Sequence, residues 1–392
     1  MSGELIAGAL TSAVRVLHVI QNIHYGGMEK LLTDIVQHVD KARFELHVLA
    51  LQYLGRYSRD IVGHATLHLG PKMSRLSLLR PTALAACIAK LQPDIVHTHS
   101  GVWYKAARAA RLAGVQQLVH TEHGLQPENP LPRFLDRRAA RLTDTVVAVS
   151  QPLRTDMVKR LRVPESRIVV VRNGVDTQAF YPRKPSGALY RTLGLRSDQP
   201  IVGSIGRLES VKGYDVIIEA FARLCRRRSD RPVLVIAGEG SARPDLEALI
   251  GRLGLRDRVF LLGWRDDALD LYAHFRCFVL GSWSEGTSVS LMEAMSCGVA
   301  PAVTAVGGTP DVLGPELAQQ LVPPGDVDAL ATCIDSTLDP EAARRIGEQA
   351  RQRVEASFGL GGMVRAYESI YLGERATSPQ ERASARIDAG SR

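Results

Sequence analysis

Short runs rich in β-branched residues alternate with longer amphipathic runs along most of this 392-residue chain. The runs VRVLHVI (14–20), ELHVLAL (45–51) and DTVVAVS (144–150) have the length and composition of buried parallel strands, and a helix-length segment follows each of them. Similar runs, each predicted to be a strand, lie at 94–100, 117–123, 168–176, 200–207, 232–240, 258–264, 277–283 and 299–305. This alternation predicts an α/β fold built on parallel sheets.

The predicted strands form two series, which indicates two doubly wound, Rossmann-like domains. The break between the series falls in the turn-rich segment 177–199, which we interpret as a linker. We place the first domain at residues 1–175 and the second at 176–356. Residues 374–392 lack the apolar content of a packed segment, so we predict a disordered tail there.

The composition is that of a soluble globular protein, with 45% apolar and 23% charged residues. No apolar run reaches the roughly 18 residues that span a bilayer, and no basic residue precedes Arg15, as one would in a secretory signal. The five cysteines are scattered without a CxxC pair, which argues against a disulfide framework or a zinc knuckle. We therefore expect a cytoplasmic protein with reduced cysteines.

The net charge of +8 is concentrated in the first half of the chain. Up to Val175 there are 23 basic and 13 acidic residues, a balance of +10, and the rest of the chain has a balance of −2. Such a split suggests an anionic partner: nucleic acid, an acidic membrane surface or a phosphorylated acceptor. A basic face that is merely solvated is the alternative.

Paired glycines follow the first predicted strand, in NIHYGGMEK (22–30). Gly26 and Gly27 let the backbone approach a ligand closely, and the helix that begins there directs its positive end at the same point. This pattern predicts a phosphate site. A tight turn that only joins strand to helix is the alternative, since no GxGxxG or Walker pattern is present.

Four histidines lie at the ends of two other predicted strands, in HTHSG and HTEHGL. His97, His99, His120 and His123 have the ligand type of a zinc site, but no cysteine is spaced to join them and the helical HExxH spacing is absent. His123 lies just past its strand and is the best placed for a role in a cleft. The alternative is a buried histidine with satisfied hydrogen bonds.

The second series opens with GSIGRLESVKG (203–213), a glycine turn that carries Arg207 and Lys212. Two cations beside a helix N-terminus suit a diphosphate leaving group, whose charge must be neutralised as its bond breaks. Partners in surface salt bridges are the alternative for both side chains.

Two acids lie eight residues apart in SEGTSVSLME (284–293). Glu285 follows a predicted strand and Glu293 falls in the first turns of the next helix, so that both carboxylates can face one crevice. Carboxylates suit the binding of vicinal hydroxyls on a sugar or ribose, while free N–H groups at the helix start accept phosphates. A solvated helix residue is the alternative for Glu293, although its neighbours are apolar.

The order of these motifs resembles a known family. The GGxE loop, TEHG, VVAVS, NGVD, GRLxxxKG, AGEG and EGTSVSLME occur in that order over about residues 14–330. They resemble the retaining GT-B glycosyltransferases of family 4 (glycosyl transferases group 1), of the kind that acts in surface polysaccharide or lipopolysaccharide assembly. The resemblance implies two Rossmann-like domains that face a cleft, and transfer of a sugar from a UDP- or GDP-linked donor without a metal or other cofactor.

The resemblance also implies residue roles for the donor nucleotide. Arg207 and Lys212 would bind its diphosphate, and Glu293 would bind the ribose hydroxyls. Gly26 and Gly27 would approach the diphosphate from the first domain.

For the transferred sugar, the resemblance implies that Glu285 holds it near the anomeric carbon, together with the backbone of Gly286, Thr287 and Ser288. His123 would contact the same sugar. Many relatives have a Gly-Phe-Gly type stretch where this chain has Gly-Thr-Ser, so the identity of the sugar stays open.

The resemblance further implies that the last helix, about residues 357–373, packs back on the first domain, and that the acceptor is a glycan or a polyprenyl-diphosphate-linked glycan. The stretch LPRFLDRRAARL (131–142) is amphipathic and suits contact with the anionic inner face of the cell membrane. The alternative is a helix whose apolar face lies in the core.

Two other functions remain open at this point. One is a nucleotide-sugar epimerase or hydrolase on the same fold, which would act on the donor alone. The other is a non-catalytic protein that binds nucleotides. With aromatic residues at 5% of the chain, the stacking platforms typical of single-stranded nucleic-acid binding are not expected.

Overall fold

The computed structural model describes residues 13–24, 26–72, 80–124 and 129–374. The predicted tail, residues 374–392, lies outside these ranges except for Glu374. All five cysteines are unpaired, as their scattered positions predict. No helix in the described ranges is long and apolar enough to cross a bilayer.

The N-terminal half of the described chain contains a seven-stranded sheet in which all strands are parallel and the order is β3-β2-β1-β4-β5-β6-β7. Its strands are β1 (Val14–Ile20), β2 (Phe44–Ala50), β3 (Thr66–Leu69), β4 (Ile95–His99), β5 (Gln117–Glu122), β6 (Thr145–Ala148) and β7 (Ile168–Val170). The helices of this half are α1 (Gly27–His38), α2 (Ser58–Ile61), α3 (Thr82–Leu91), α4 (Trp103–Leu112), α5 (Pro130–Leu142) and α6 (Gln151–Asp156). The strand order reverses at β1: β2 and β3 follow on one side of it, and β4 to β7 follow on the other side.

The C-terminal half contains a second parallel sheet, of six strands in the order β10-β9-β8-β11-β12-β13. Its strands are β8 (Ile201–Ile205), β9 (Val233–Ala237), β10 (Val259–Leu261), β11 (Cys277–Leu280), β12 (Ala300–Thr304) and β13 (Leu321–Val322). Its helices are α7 (Ala188–Leu193), α8 (Tyr214–Arg227), α9 (Arg243–Arg252), α10 (Ala268–His274), α11 (Val289–Ser296), α12 (Thr309–Leu313), α13 (Val327–Thr337), α14 (Pro340–Ser357) and α15 (Leu360–Tyr371). The predicted fold class, α/β with two doubly wound sheets, is confirmed.

Strands β9 and β11 of the second sheet are apolar along their whole length, because helices cover both faces of the sheet. Every residue of β9 and of β11 is buried. Core clusters lie on both sides of the sheets, and the largest includes residues of both halves of the chain and of α15.

Three features differ from the sequence-based expectation. Strands β3 and β13 were not predicted, because they are short edge strands and β3 has only partly buried or exposed residues. A short helix, α7, interrupts the predicted linker 177–199.

Helix α15 returns to the first sheet, where the hydroxyls of Tyr367 and Tyr371 reach side chains of β5 and β4. The crossing is fixed at its base, since Val175 N donates to Phe358 O at 2.8 Å and Leu360 N donates to Val175 O at 3.0 Å. The two connections between the halves therefore lie side by side and are hydrogen-bonded to each other.

Candidate active site

A cleft of about 1210 Å³ lies between the two halves, at the carboxyl ends of their central strands. This is the expected position for a ligand in open parallel sheets. All ten site residues predicted from the sequence line it: Gly26, Gly27, His123, Arg207, Lys212, Glu285, Gly286, Thr287, Ser288 and Glu293. The structure thus brings the predicted set together in one place, while the role of each residue stays a prediction.

Lys212 and Glu285 form an ion pair at the floor of the cleft. Nζ of Lys212 donates to Oε1 of Glu285 at 2.6 Å, and Ser282 Oγ donates to the same oxygen at 2.7 Å. Gly213, with φ of +58°, lets the two loops meet, because a Cβ there would lie 2.0 Å from the carbonyl oxygen of Gly281. The cation predicted for a diphosphate is therefore held by the acid predicted for the sugar.

The loop after Glu285 packs directly on the N-terminal half. A Cβ on Gly286 would lie 1.9 Å from the carbonyl oxygen of His123. Thr287 Oγ1 donates to Val149 O at 3.1 Å, and the Asn173 amide donates to Thr287 O at 3.2 Å. The hydroxyl and the carbonyl of Thr287 thus hold the two halves together.

Ser288 caps helix α11, since its Oγ accepts a hydrogen bond from the backbone N–H of Leu291 at 3.3 Å. The helix begins at the cleft, so its positive end points into the site. Val289, its first residue, would be 3.6 Å from a Cβ on Gly27, which places the starts of α1 and α11 next to each other.

Glu293 lies on α11 with 8% of its surface exposed, so it is not a solvated helix residue. The Tyr272 hydroxyl donates to its Oε2 at 2.8 Å. Burial raises the pKa of Glu293 to about 7, and the nearby Lys30 ammonium opposes that rise. This carboxyl therefore exchanges its proton near neutral pH, and it has an oxygen left for a ligand.

Arg207 and the start of α1 also line the cleft. The Arg207 side chain is exposed in the cleft. Burial raises the pKa of Glu29, and the positive charge of Arg207 partly lowers it again. The Glu29 carboxyl folds back on Gly26, where a Cβ would lie 2.4 Å from its Oε2. The paired glycines therefore leave backbone exposed at a helix start.

His123 is hydrogen-bonded on one side only. Its Nε2 is 3.1 Å from Nδ1 of His99, and its Nδ1 has no hydrogen-bond partner among the described residues. Burial lowers the pKa of His123 to about 4, so the ring is neutral at physiological pH.

The structure does not bring together the four histidines that the sequence offered as a zinc set. His120 stacks on Trp103 with 3.8 Å between ring centres and lies 3.5 Å from Glu122. Among the described residues, the histidines whose nitrogens lie within 4.8 Å of one another are His18, His97 and His99. The His99 ring is nearly parallel to the rings of His18 and His97, at 18° and 28°, an arrangement that does not point three lone pairs at one centre.

Sequence reasoning missed four residues of the site. Lys30 follows the paired glycines by three positions and has a sequence signal, since it lies one turn into the helix that begins at the cleft. Tyr272 has no such sequence signal, because α10 reaches Glu293 only through tertiary packing. The same holds for Arg56, whose guanidinium lies 4.1 Å from the ring centre of Trp264 across the cleft.

Two family models match the two halves of the chain. The model "Glycosyltransferase Family 4" matches residues 25–179, and the model "Glycosyl transferases group 1" matches residues 189–353. Together they include strands β2 to β13 and all ten predicted site residues, while β1 precedes the first match.

Known proteins agree with these matches. The chain is 28% identical over 301 residues to an Escherichia coli UDP-Gal:alpha-D-GlcNAc-diphosphoundecaprenol alpha-1,3-galactosyltransferase, covering 74% of this chain and 78% of that protein. It is 29% identical to the Bacillus anthracis N-acetyl-alpha-D-glucosaminyl L-malate synthase over 71% of this chain and 74% of the other. A crystal structure of Anabaena HepE in complex with UDP and glucose superposes with a TM-score of 0.78 at 21% identity, over 92% of this chain and 100% of that one.

The Anabaena structure supports the fold, and the family models and named relatives support the chemistry class. The chain belongs to the group 1, family 4 glycosyltransferases and has their GT-B fold.

Proposed function

We propose that the protein is a retaining, metal-independent glycosyltransferase that moves a sugar from a nucleotide-diphosphate donor, UDP- or GDP-linked, to a lipid-linked glycan in surface polysaccharide synthesis. One observation carries the proposal: a single cleft collects the Lys212–Glu285 pair, the buried Glu293, two helix starts and His123. These groups match the parts of a nucleotide-sugar donor.

The nucleotide binds to the C-terminal half in this proposal. Glu293 accepts hydrogen bonds from the ribose hydroxyls through the oxygen that Tyr272 leaves available. Arg207 and Lys212 face the diphosphate, together with the N-terminus of α11. As the bond from the sugar to the diphosphate breaks, these cations stabilise the charge that develops on the leaving oxygen.

The transferred sugar lies between the halves. When the donor binds, Lys212 pairs with the diphosphate and its ion pair with Glu285 breaks. The Glu285 carboxylate then accepts hydrogen bonds from sugar hydroxyls near the anomeric carbon. Gly286 and the backbone beside it line this space together with His123, against whose carbonyl Gly286 packs. Closing this space excludes water, which favours transfer over hydrolysis.

The acceptor side is the N-terminal half. The Escherichia coli relative is named for a diphosphoundecaprenol-linked acceptor, and a diphosphate on a lipid would complement the positive charge of this half. Helix α5 exposes Leu131 and Phe134, with Arg138 4.8 Å from the Phe134 ring centre, while Ala139 and Ala140 pack into the core. We propose that this surface contacts the anionic inner face of the cell membrane.

The test is transfer itself. The purified protein is incubated in EDTA with UDP-galactose, UDP-glucose, UDP-N-acetylglucosamine or GDP-mannose and with synthetic GlcNAc-diphosphate-lipid, and the product is examined by NMR. One donor should yield a glycosylated lipid whose new linkage keeps the anomeric configuration of the donor. An inverted linkage contradicts retention, and activity restored only by Mg²⁺ contradicts metal independence. Conversion of the donor without acceptor supports the epimerase or hydrolase alternative.

A further inference from the structure

Three histidines form a continuous row from the interior of the first sheet to the cleft. Nδ1 of His18 on β1 is 3.1 Å from Nε2 of His99 on β4. Nδ1 of His99 is in turn 3.1 Å from Nε2 of His123 in the loop after β5. We call His18, His99 and His123 the histidine row. Its two outer nitrogens, Nε2 of His18 and Nδ1 of His123, are buried without a hydrogen-bond partner among the described residues.

All three rings are neutral at physiological pH. Burial, aided by the charge of Lys41, lowers the pKa of His18 to about 3, and burial lowers the pKa of His99 well below its usual value. The pKa of His123 falls to about 4 for the same reason. A neutral imidazole carries one N–H and one lone pair, so each N···N contact needs a donor on one side and an acceptor on the other.

The row therefore has two proton arrangements. In the first, every ring carries its proton on Nδ1, so that His18 donates to His99, His99 donates to His123, and the Nδ1 proton of His123 points away from the row. In the second, every proton is on Nε2 and the direction reverses. Each arrangement leaves one N–H without an acceptor among the described residues. In the second it lies at Nε2 of His18, away from the cleft, whereas in the first it lies at Nδ1 of His123, which lines the cleft, where a ligand oxygen can accept it. Orphaned buried donors are the rarer defect in proteins.

The charges at the two ends favour the first arrangement as well. Lys41 acts on His18, and a positive charge favours the lone pair over the N–H at that end. The negative charge of Glu122 has the opposite effect on His123: it raises the pKa of the ring and so favours an N–H there. Oε1 of Glu122 accepts a hydrogen bond from the His123 backbone N–H at 3.2 Å.

We propose that His18 and His99 are positioning residues that fix His123 as the tautomer with its proton on Nδ1. His123 then meets the transferred sugar as a hydrogen-bond donor to one of its oxygens. The tautomer follows from the row alone, whereas its use in transfer rests on the proposed function.

The surroundings keep the row in place without joining it. His97 packs on His18 and His99, with ring centres 4.9 and 4.5 Å away. Its own nitrogens are 2.7 Å from the Tyr371 hydroxyl and 2.8 Å from Thr121 Oγ1. The row therefore has fixed ring positions and only its protons left to arrange.

The first test needs no substrate. Long-range ¹H–¹⁵N NMR of protein labelled at histidine nitrogens distinguishes the two tautomers, and the His123 signals are assigned from their loss in His123→Ala. We expect His123 in the ligand-free wild type to carry its proton on Nδ1 at pH 7.5. A proton on Nε2 overturns the proposal, and this measurement is made on the wild type and needs no activity.

The second test uses His18→Phe, which keeps a ring but removes the inner donor. The matched control is His47→Phe, since Nδ1 of His47 is 2.9 Å from Nε2 of His68 on the same sheet and outside the row. In His18→Phe we expect a mixture of His123 tautomers and a kcat about threefold to tenfold lower, the worth of one hydrogen bond, with UDP affinity unchanged. His47→Phe should match the wild type in the His123 tautomer, in kcat and in UDP affinity.

Two results would contradict the proposal: an unchanged His123 tautomer in His18→Phe, or a loss in that variant that His47→Phe shares. A wild-type protein with the Nδ1 tautomer but no transfer of any sugar would instead remove the proposed function and leave the tautomer standing.

Discussion

Glu285 and Glu293 come from one loop and the helix that follows it, yet the protein gives them different partners. Glu285 has a cation, Lys212, and a hydroxyl, Ser282. Among the described residues, the Glu293 carboxylate accepts a hydrogen bond only from the Tyr272 hydroxyl, and burial raises the pKa of Glu293 to about 7. At the residue scale the site therefore separates one carboxylate held by charge from one poised to titrate.

The first prediction is a pH dependence of nucleotide binding. Below pH 7 the Glu293 carboxyl is protonated and accepts the ribose hydroxyls less well, so UDP or GDP affinity should fall as the pH drops. With about one tenth of the sites ionised at pH 6, the loss relative to pH 8 should approach tenfold. Calorimetric titration at pH 6, 7 and 8 measures it. Glu293→Gln should bind weakly and show only the titration of the diphosphate itself, and the same slope in both proteins would refute the role of Glu293.

The second prediction concerns Lys212. Because its charge is needed most when the leaving diphosphate gains charge, Lys212→Ala should lower kcat about 100-fold and weaken nucleotide binding much less. Steady-state kinetics and calorimetry separate the two effects. Lys184→Ala, at an exposed position in the connecting segment, is the matched control and should be normal. Equal losses of affinity and of kcat would make Lys212 a ground-state binding group.

At the scale of elements, the loop between β11 and α11 joins the two halves. Gly286 lies against the His123 carbonyl, and its own carbonyl accepts a hydrogen bond from Gly308 N at 2.9 Å. Because the atoms packed against Gly286 on both sides belong to the backbone, no flexible side chain can move to make room for a larger residue. The loop position is therefore fixed by contact with the N-terminal half as well as by its own helix.

A third prediction follows for Gly286→Ala. The added methyl would displace the loop from His123, which should cost about 1 to 3 kcal/mol of stability and at least a tenfold loss in kcat, because Glu285 moves with the loop. Thermal denaturation and transfer assays measure the two effects. Gly362→Ala in α15, where a Cβ meets open space, should leave both unchanged. Wild-type activity in Gly286→Ala would show that the loop is free to rearrange.

Elements differ in how far the sequence predicts them. Central strands such as β9 and β11 are continuous apolar runs. The loops after β8 and β11 carry Arg207 and Glu285, which are among the polar groups that mark the cleft. Edge strand β13 has only two residues, too few for a pattern. Tyr272 and His18 were missed because their contacts join segments far apart in sequence, and hydrophobic periodicity carries no information on such pairs.

At the scale of the whole molecule, the two halves are linked by two hydrogen-bonded connections at one end and by contacts across the cleft at the other. Val175 pairs with the segment from Phe358 to Leu360. Across the cleft, Arg56 of the N-terminal half stacks on Trp264 of the C-terminal half. This arrangement suits rotation about the connections, with the Arg56–Trp264 contact made in the closed form.

A fourth prediction is that this contact favours the closed form. Arg56→Ala, Trp264→Ala and the double variant form a cycle in which the coupling on nucleotide affinity should be about 0.5 to 1 kcal/mol, the value of an exposed cation–π pair. The cycle removes the other contacts of Trp264 from the comparison. Additive effects of the two substitutions would show that the contact does not contribute to binding.

The proposed chemistry requires that one nucleotide-sugar series binds in this cleft through Glu293 without a metal. A thermal-shift series in EDTA, with UDP, GDP, ADP and their common sugar conjugates, tests it most directly on the wild type and Glu293→Ala. We expect UDP or GDP and its conjugates to raise the melting temperature of the wild type, by the equivalent of about 2.7 kcal/mol at 100 times the dissociation constant. Glu293→Ala should lose most of this shift. No stabilisation by any nucleotide, or the same stabilisation in the variant, would contradict the proposed chemistry.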